Sequence, residues 1–517
     1  MKFSSRINRN LFERAIIVLF LGLSFAGHAA ARAHSDSFEG PTIEDSNWIQ
    51  LTPTGGPPDP RGFHGMSTVY DPANDRMMVF GGRLSNNNNS NDLWVLTNAN
   101  GIGGTGQWLN IIPDGTPGSP PSRSGHTAVY DAASNRMVIF GGCNGYCLPA
   151  LNDVWVLSNA NGVAGTPTWI PLFPAGGPPP PRTRHTAVYD PTTNRMVVFA
   201  GQDGGGFGCS TFSGVWVLSN ANGLGGTPTW SQLSPTGGPP AGQYAPSAVY
   251  DPANNRMTVF GGGGFVNGTC QGSNAVWVLT NANGVGGTPL WINVSTEGNS
   301  GSPVGRGFHS AVYNAARNQM IMFGGDDSLG VNLNDAWGLG NANGIGGAAA
   351  WTQLAPTGGP PPARNSHGAV FDPGTERMII FGGDDNIGFL NDTWLLKLSS
   401  TLSFNVCPLF DQTKAYKSGS TLPVKLQLCD VNGNDVSSST IDVRAVSLIM
   451  VSTNTQANLA DAGNANPDSN FRFDETLGDT GGYIFNLSLK GLASGTYLLN
   501  FTGGSDPTVQ SVTFQVK

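Results

Sequence analysis

Apolar and polar positions along this chain fall into short runs rather than long amphipathic stretches. Runs such as His126-Thr-Ala-Val-Tyr130 and Met137-Val-Ile-Phe140 are four or five residues long, rich in β-branched and aromatic residues, and separated by tight-turn sequences such as Asp71-Pro-Ala-Asn-Asp-Arg76. Such runs predict strands joined by reversals, paired antiparallel with their neighbours. All twelve Trp residues order these runs into two series. Trp48, Trp108, Trp169, Trp230, Trp291 and Trp351 recur every 60 or 61 residues; Trp94, Trp155, Trp216, Trp277, Trp337 and Trp394 recur every 57 to 61. Six units follow, each with a Trp-led strand such as Trp351-Thr-Gln-Leu354, a Pro/Gly-rich loop, two apolar strands and a third Trp-bearing strand. That makes four strands per unit. The repeats open on a lone Trp-led strand at Trp48 and end with three strands at 367–398, which lack a fourth.

The second apolar strand of each unit ends in a glycine pair, Gly81-Gly82, Gly141-Gly142, Gly261-Gly262, Gly324-Gly325 and Gly382-Gly383, with Ala200-Gly201 in the third unit. No helix signal follows them, so they are structural positions rather than a phosphate cradle.

The residues before the first apolar strand of each unit carry the candidate chemistry. Arg123/His126, Arg182/His185, Arg306/His309 and Arg364/His367 share one Arg-x-x-His spacing; Arg61/His64 lies two residues earlier in its unit, and Tyr244 takes that shifted place in the fourth unit. Guanidinium groups recurring at one place in successive units suit a carboxylate, a sulfate or an acidic sugar where the fold brings them together. The alternative is that Arg and His brace neighbouring strands through backbone carbonyls. A second series, Arg76, Arg136, Arg195, Arg256 and Arg377, sits in hairpin turns and reads as solvated. The acidic doublets Asp326-Asp327 and Asp384-Asp385 read as turn caps, with calcium as the alternative. No H-x-x-x-H or H-E-x-x-H occurs, and no metal or cofactor is expected.

These features together resemble the kelch repeat: Arg-x-x-His before an apolar strand, Phe80-Gly-Gly82 with Asn91-Asp-Leu-Trp94, and Phe381-Gly-Gly383 with Asn391-Asp-Thr-Trp394. The resemblance covers residues 48–398 and implies an all-β, six-bladed kelch β-propeller of the galactose-oxidase-like superfamily, closed by the N-terminal strand. A kelch unit is nearer 50 residues, and a Gly-rich insertion, Asn98-Ala-Asn-Gly-Ile-Gly-Gly104 and its relatives, supplies the excess. The resemblance implies binding at the channel mouth through Arg61, His64, Arg123, His126, Arg182, His185, Tyr244, Arg306, His309, Arg364 and His367, without catalysis. The alternative it leaves is an enzyme acting on a sugar, mutarotase-like, or less readily a copper oxidase, whose Tyr-His dipeptide is missing here.

Past residue 399 the repeat and its Trp residues stop and lysine returns, none lying between 34 and 396. Residues 399–406 read as a linker. Alternating segments such as Leu422–Leu428, Tyr483–Leu489 and Val509–Val516 predict a β-sandwich over 407–517. Tyr416-Lys-Ser-Gly-Ser-Thr-Leu-Pro-Val-Lys425 resembles PxKF-type immunoglobulin-like modules, with Leu426 where that motif has Phe. Six cysteines occur. Cys407 with Cys429, Cys209 with Cys270 and Cys143 with Cys147 are the expected disulfides, the pairing among the last four being open.

Composition narrows the partners. The 73 Gly and 36 Pro make up about 21% of 517 residues, which disfavours a helical protein. Lys2, Arg6, Arg9 and Arg14 precede an apolar run from Ala15 to Phe25 and the cleavage-site pattern Ala31-Arg32-Ala33, so residues 1–33 read as a secretory signal peptide and 34–47 as an N-terminal segment. No later run is long enough to span a membrane. The formal charge of −8 becomes about −12 once that leader, net +4, is removed, which excludes nucleic acid as a natural partner. The expected partners are extracellular polysaccharide or protein, and the expected location is secreted or at the cell surface, with the periplasm as alternative.

Overall fold

The computed structural model describes residues 46–517 apart from 63–64, 146–148, 205–210, 239, 267–268, 399–404, 430–434, 440, 454, 461, 463–468, 479–480 and 504–505. The expected leader and His64 therefore lie outside the described residues. Apart from one 3-10 turn at Ala315–Arg317, the regular structure among the described residues is β.

Each repeat unit forms a four-stranded antiparallel sheet. In the first, Ser67–Asp71, Arg76–Leu84, Asn89–Thr97 and Gln107–Ile112 pair in chain order, with the short Arg61–Gly62 added beside the second strand. The second strands are apolar on both faces, and Met77, Met78, Val79 and Phe80 are all fully buried, because neighbouring sheets cover them from both sides. Asn47–Leu51 pairs antiparallel with Phe389–Lys397, from Asn47 opposite Lys397 to Leu51 opposite Thr393, and so supplies the fourth strand of the last sheet.

The innermost strands neighbour one another in cyclic order, Ser67–Asp71 meeting both Thr127–Asp131 and Gly368–Asp372. Six apolar cores result, each shared by two successive sheets, and the cycle closes where Met77, Val79 and Trp108 pack with Ile379, Phe381 and Leu395. The Trp-led strands lock these seams. Trp108, Trp169, Trp230, Trp291, Trp351 and Trp48 each meet a Phe of the preceding sheet, with ring centroids 4.8–5.1 Å apart. The glycine pairs are where strands leave the core under close contact. A Cβ on Gly142 would sit 2.7 Å from both the Ser124 carbonyl oxygen and the His126 Cβ, at φ +89°.

Two elements differ from the sequence expectation. The hairpin arginines are not simply solvated: Nη1 of Arg76, Arg136, Arg195, Arg256 and Arg377 donates to the carbonyl of Asn161, Asn222, Asn283, Asn343 and Asn100, 2.6–3.3 Å away in the next sheet. The Gly-rich insertion, in turn, is a staple. Its second Asn donates Nδ2 to the Asp ending the innermost strand of the preceding sheet, as Asn161 to Asp71 and Asn222 to Asp131, both at 2.7 Å. Satisfying a buried carboxylate across a seam fixes the spacing of adjacent sheets.

The C-terminal region forms two sheets around one core. One contains Asn405–Pro408, Thr421–Cys429, Gly482–Ser488 and Arg472–Asp474; the other contains Ala415–Tyr416, Asp506–Val516, Gly495–Gly503, Val443–Met450 and Thr455–Ala457. Leu422, Val424 and Leu426 of the first face Leu448, Leu499 and Phe514 of the second within that core. Cys407 and Cys429 are disulfide-bonded, with Cα atoms 6.0 Å apart. Cys143 is also disulfide-bonded, whereas Cys147, Cys209 and the Cys270 side chain lie outside what the structure describes.

Candidate functional site

The five arginines expected at the mouth are instead interior braces. Arg61, Arg123, Arg306 and Arg364 are fully buried, and each grips a carboxylate of its own unit with both Nη atoms: Asp92, Asp153, Asp335 and Asp392, at 2.5–3.0 Å. The same Nη1 donates to the first carbonyl after the strand-ending Phe, that of Gly81, Gly141, Gly324 or Gly382. The acceptor carboxylate also takes the indole N–H of the Trp two residues on, as Trp94 to Asp92 at 2.8 Å, which explains why Asp and Trp recur at that spacing. Burial alone would raise these four carboxyls, but the arginine hydrogen bond and charge prevail and hold them below the ordinary carboxylate range. Arg182 has Gly214 where the units of Arg61, Arg123, Arg306 and Arg364 have Asp, and stacks over Phe212 at 4.6 Å. A ligand at the mouth does not meet these guanidinium groups.

The histidines are neutral packing groups. His126, His185, His309 and His367 are 5–7% exposed and stand edge-on to Phe80, Phe140, Phe260 and Phe323. Nε2 of His185, His309 and His367 meets Thr127, Ser247 and Ser310 of the preceding unit at 2.7–2.9 Å. Burial drives His126 and His367 down to about 3 and the other two well below the usual imidazole range. Met66 and Pro246 occupy the equivalent place in the first and fourth units, against Gly82 and Gly262.

The mouth is formed by the residue one place earlier. Gly65, Gly125, Arg184, Ala245, Phe308 and Ser366 line a cavity of about 160 Å³, and all six have left-handed backbones with φ between 51° and 80°. Each N–H from Gly125 to Ser366 donates to the carbonyl of the equivalent residue in the preceding unit, at 2.7–3.2 Å, giving five successive links around the opening. Four of the six are not glycine, and each carries the strain of that conformation.

One side of this collar is chemically distinct. The Arg184 guanidinium lies 5.9 Å from the Tyr244 ring centroid and 5.3 Å from that of Phe308, and the two rings are 5.9 Å apart. Burial pushes Arg184 down to about 10, against the opposing pull of Tyr244 and Asp326. Asp326 is pushed up to about 6 by burial, with the charges of Asp327 and Asp384 adding to it and Arg184 opposing. Of this set, sequence reasoning had placed only Tyr244 at the mouth. The available signal was variation: the position before His, or before Met66 and Pro246 in its place, reads Gly, Gly, Arg, Ala, Phe and Ser in units whose framework residues repeat. Asp327 and Asp385 cap their own turns, accepting N–H groups of Leu329, Val331, Ile387 and Gly388. Among the described residues no three His, Cys, Asp or Glu groups are placed to hold a metal ion. Among them, too, no helix is long and apolar enough to cross a membrane.

The model of the KLHDC2/KLHL20/DRC7 Kelch-repeats domain matches residues 21–163, 75–223, 164–335 and 225–402, together well over half of the chain. The chain belongs to the kelch-repeat family. The chain is similar to a leucine-zipper-like transcriptional regulator 1 homolog from Drosophila melanogaster, 27% identical over 57% of this chain and 27% of that protein. A putative adagio-like protein 2 from Oryza sativa subsp. japonica is 32% identical over 43% of this chain and 31% of its own length. Host cell factor 1 from Homo sapiens is 29% identical over 36% of this chain and 9% of its own length. The chain thus spans less than a third of the length of each of these relatives. A solved structure titled "Structure of YjhT" aligns over 67% of this chain and 96% of its own, at 15% identity and a TM-score of 0.43. In this kelch chain, the Arg, His, Asp and Trp positions that make the repeat recognisable build the scaffold, and the variable collar faces the opening.

Proposed function

We propose that the protein is an exported six-bladed kelch propeller carrying an immunoglobulin-like domain, and that it binds an extracellular protein segment or glycan at the collar. The observation that carries this reading is the retention of Arg184, Phe308 and Ser366 in left-handed conformations around the opening. Strained non-glycine residues persist where the surrounding structure over-determines them, and such positions concentrate at ligand sites. Arg184 beside Tyr244 and Phe308 offers a planar donor and two aromatic edges; Asp326 offers an acceptor. That mixture suits a peptide loop or a sugar ring better than a purely apolar molecule. Protein is the leading class because kelch repeats mediate protein interactions. Export rests on the leader pattern at residues 1–33, and a secreted or cell-surface location follows from it. The catalytic alternative is not adopted, because the Arg and His groups it would use are engaged in packing.

The test is selection of binders to the mature protein from a random displayed peptide library and an array of neutral and acidic oligosaccharides. Binders from either source are expected to lose at least about tenfold in affinity, roughly 1.4 kcal/mol, with Arg184→Ala and with Phe308→Gly. Arg256→Ala, far from the collar, is expected to leave affinity unchanged. Binders indifferent to both collar changes would overturn the site.

A further inference from the structure

The opposite end of the channel has its own chemistry. There the innermost strands present Tyr70, Tyr130, Tyr189, Tyr250, Tyr313 and Phe371 around a cavity of about 320 Å³, floored by alanines and valines of the same strands. Each tyrosine hydroxyl donates to the side chain five residues on, from Asp75 to Asn318, at 2.8–3.1 Å, which pins the ring and occupies its proton. Directly after five of the six aromatics come Asp71, Asp131, Asp190, Asp251 and Asp372, all at most 5% exposed. These carboxylates are satisfied by Asn amides of the next sheet, at 2.6–2.9 Å, and none is ion-paired with Lys or Arg. The arginines of the same turns bond peptide carbonyls, and Arg377 also feels the charges of Asp372 and Asp75. The field reaches the rings: after burial, the charges of Asp71 and Asp131 raise Tyr130, and those of Asp131 and Asp190 raise Tyr189.

The loop tips of the rim add apolar surface, beside the guanidinium groups of Arg76, Arg136, Arg195, Arg256 and Arg377 that bond the same loops. Ile102, Val163, Leu224, Val285 and Ile345 stand at equivalent loop tips, 37–50% exposed, in loops 98–106, 159–167, 220–228, 281–289 and 341–349 that contain no charged residue. Aromatic rings backed by carboxylates that neutral amides satisfy attract a cation, and the aliphatic tips favour one with a hydrocarbon body.

We propose that this end of the channel binds an organic cation, an ammonium group on an apolar body of about the size of choline. The site is separate from the collar and does not depend on the collar's ligand. The test is calorimetric titration of the mature protein with choline and with its neutral tert-butyl isostere. Choline is expected to bind at least about tenfold more tightly than the isostere. Tyr189→Leu and Tyr250→Leu keep apolar volume and remove the ring, and are expected to weaken choline about tenfold while sparing the isostere; Tyr189→Phe is expected to retain choline. If the leucine variants do not fold, saturation transfer from tyrosine ring protons to the choline methyl groups in the unaltered protein decides the matter. Equal binding of both probes, or no transfer and no choline binding, would overturn the proposal.

Discussion

The buried imidazoles make stability depend on pH in a defined direction. His126, His185, His309 and His367 bind protons in the unfolded chain below about 6.5, the ordinary imidazole value, but in the folded protein only far lower, about 3 for His126 and His367. The unfolded state therefore binds more protons throughout that window, so stability is fully present above about 6.5 and declines as pH falls. The slope approaches about 1.4 kcal/mol per pH unit for each histidine. Asp92, Asp153, Asp335 and Asp392, held low by their arginines, act in the same direction only below about 4, whereas Asp326, raised to about 6, opposes it together with Asp75 and Asp384, which burial also raises. Urea unfolding from pH 7.5 to 5 should show this decline, and His367→Gln should reduce the slope by about one histidine; flat stability across that range would contradict the neutral assignment. The Arg-x-x-His pattern was legible in the sequence, but its destination was not. Guanidinium and imidazole groups serve equally to hold an anion or to satisfy a buried carbonyl, and burial alone distinguishes the two. Nothing in local spacing joins Arg61 to Asp92, whose pairing depends on the sheet bringing residues 31 apart together.

At the scale of elements, the Gly-rich insertion shows how far turn chemistry can be read. Its Asn and Gly content announces a loop, and its recurrence accounts for the length of each unit, but the sequence does not show that the loop reaches into the preceding sheet. Asn222 illustrates the consequence. Its Nδ2 donates to Asp131 at 2.7 Å, its Oδ1 accepts from Asn194 and from the Leu224 N–H, and its carbonyl accepts from Arg136. Asn222→Ala leaves the Asp131 carboxylate short of a buried donor, a loss expected to cost about 1–3 kcal/mol. Asn222→Asp should cost more, since it sets a second carboxylate against the first. Equilibrium unfolding checks the magnitude, and native-state hydrogen exchange checks the place: protection should fall first in Thr127–Asp131 and the sheet that follows. An alanine variant within about 0.5 kcal/mol of the parent would show that the staple contributes nothing beyond surface contact.

Across the whole molecule, the large periodic side chains were the most informative. Tryptophan at a 60-residue period revealed the repeat because each one fills a seam between sheets, and the lone first strand announced the ring closure that Asn47–Leu51 provides. The tyrosine ring was equally periodic, yet it was read as strand pattern because alternation alone does not say which face lines a channel. The same distribution of tryptophan supplies a measurement. All twelve lie between Trp48 and Trp394, so indole fluorescence reports the repeat region alone, while the C-terminal sheets carry Tyr416, Tyr483 and Tyr497 without any Trp. Cys407 and Cys429 close a loop of 22 residues within those sheets, a constraint worth about 3 kcal/mol through the entropy of the unfolded chain. Replacing both with alanine, rather than adding a reductant that would also attack the bond at Cys143, should lower the transition followed by circular dichroism of the C-terminal sheets by that amount. The transition followed by tryptophan should stay where it is, since the six apolar cores of the repeats share no residue with the C-terminal core. A tryptophan transition that moves in step with the other would mean that the two regions unfold as one cooperative unit, and the independence argued from their separate cores would fail.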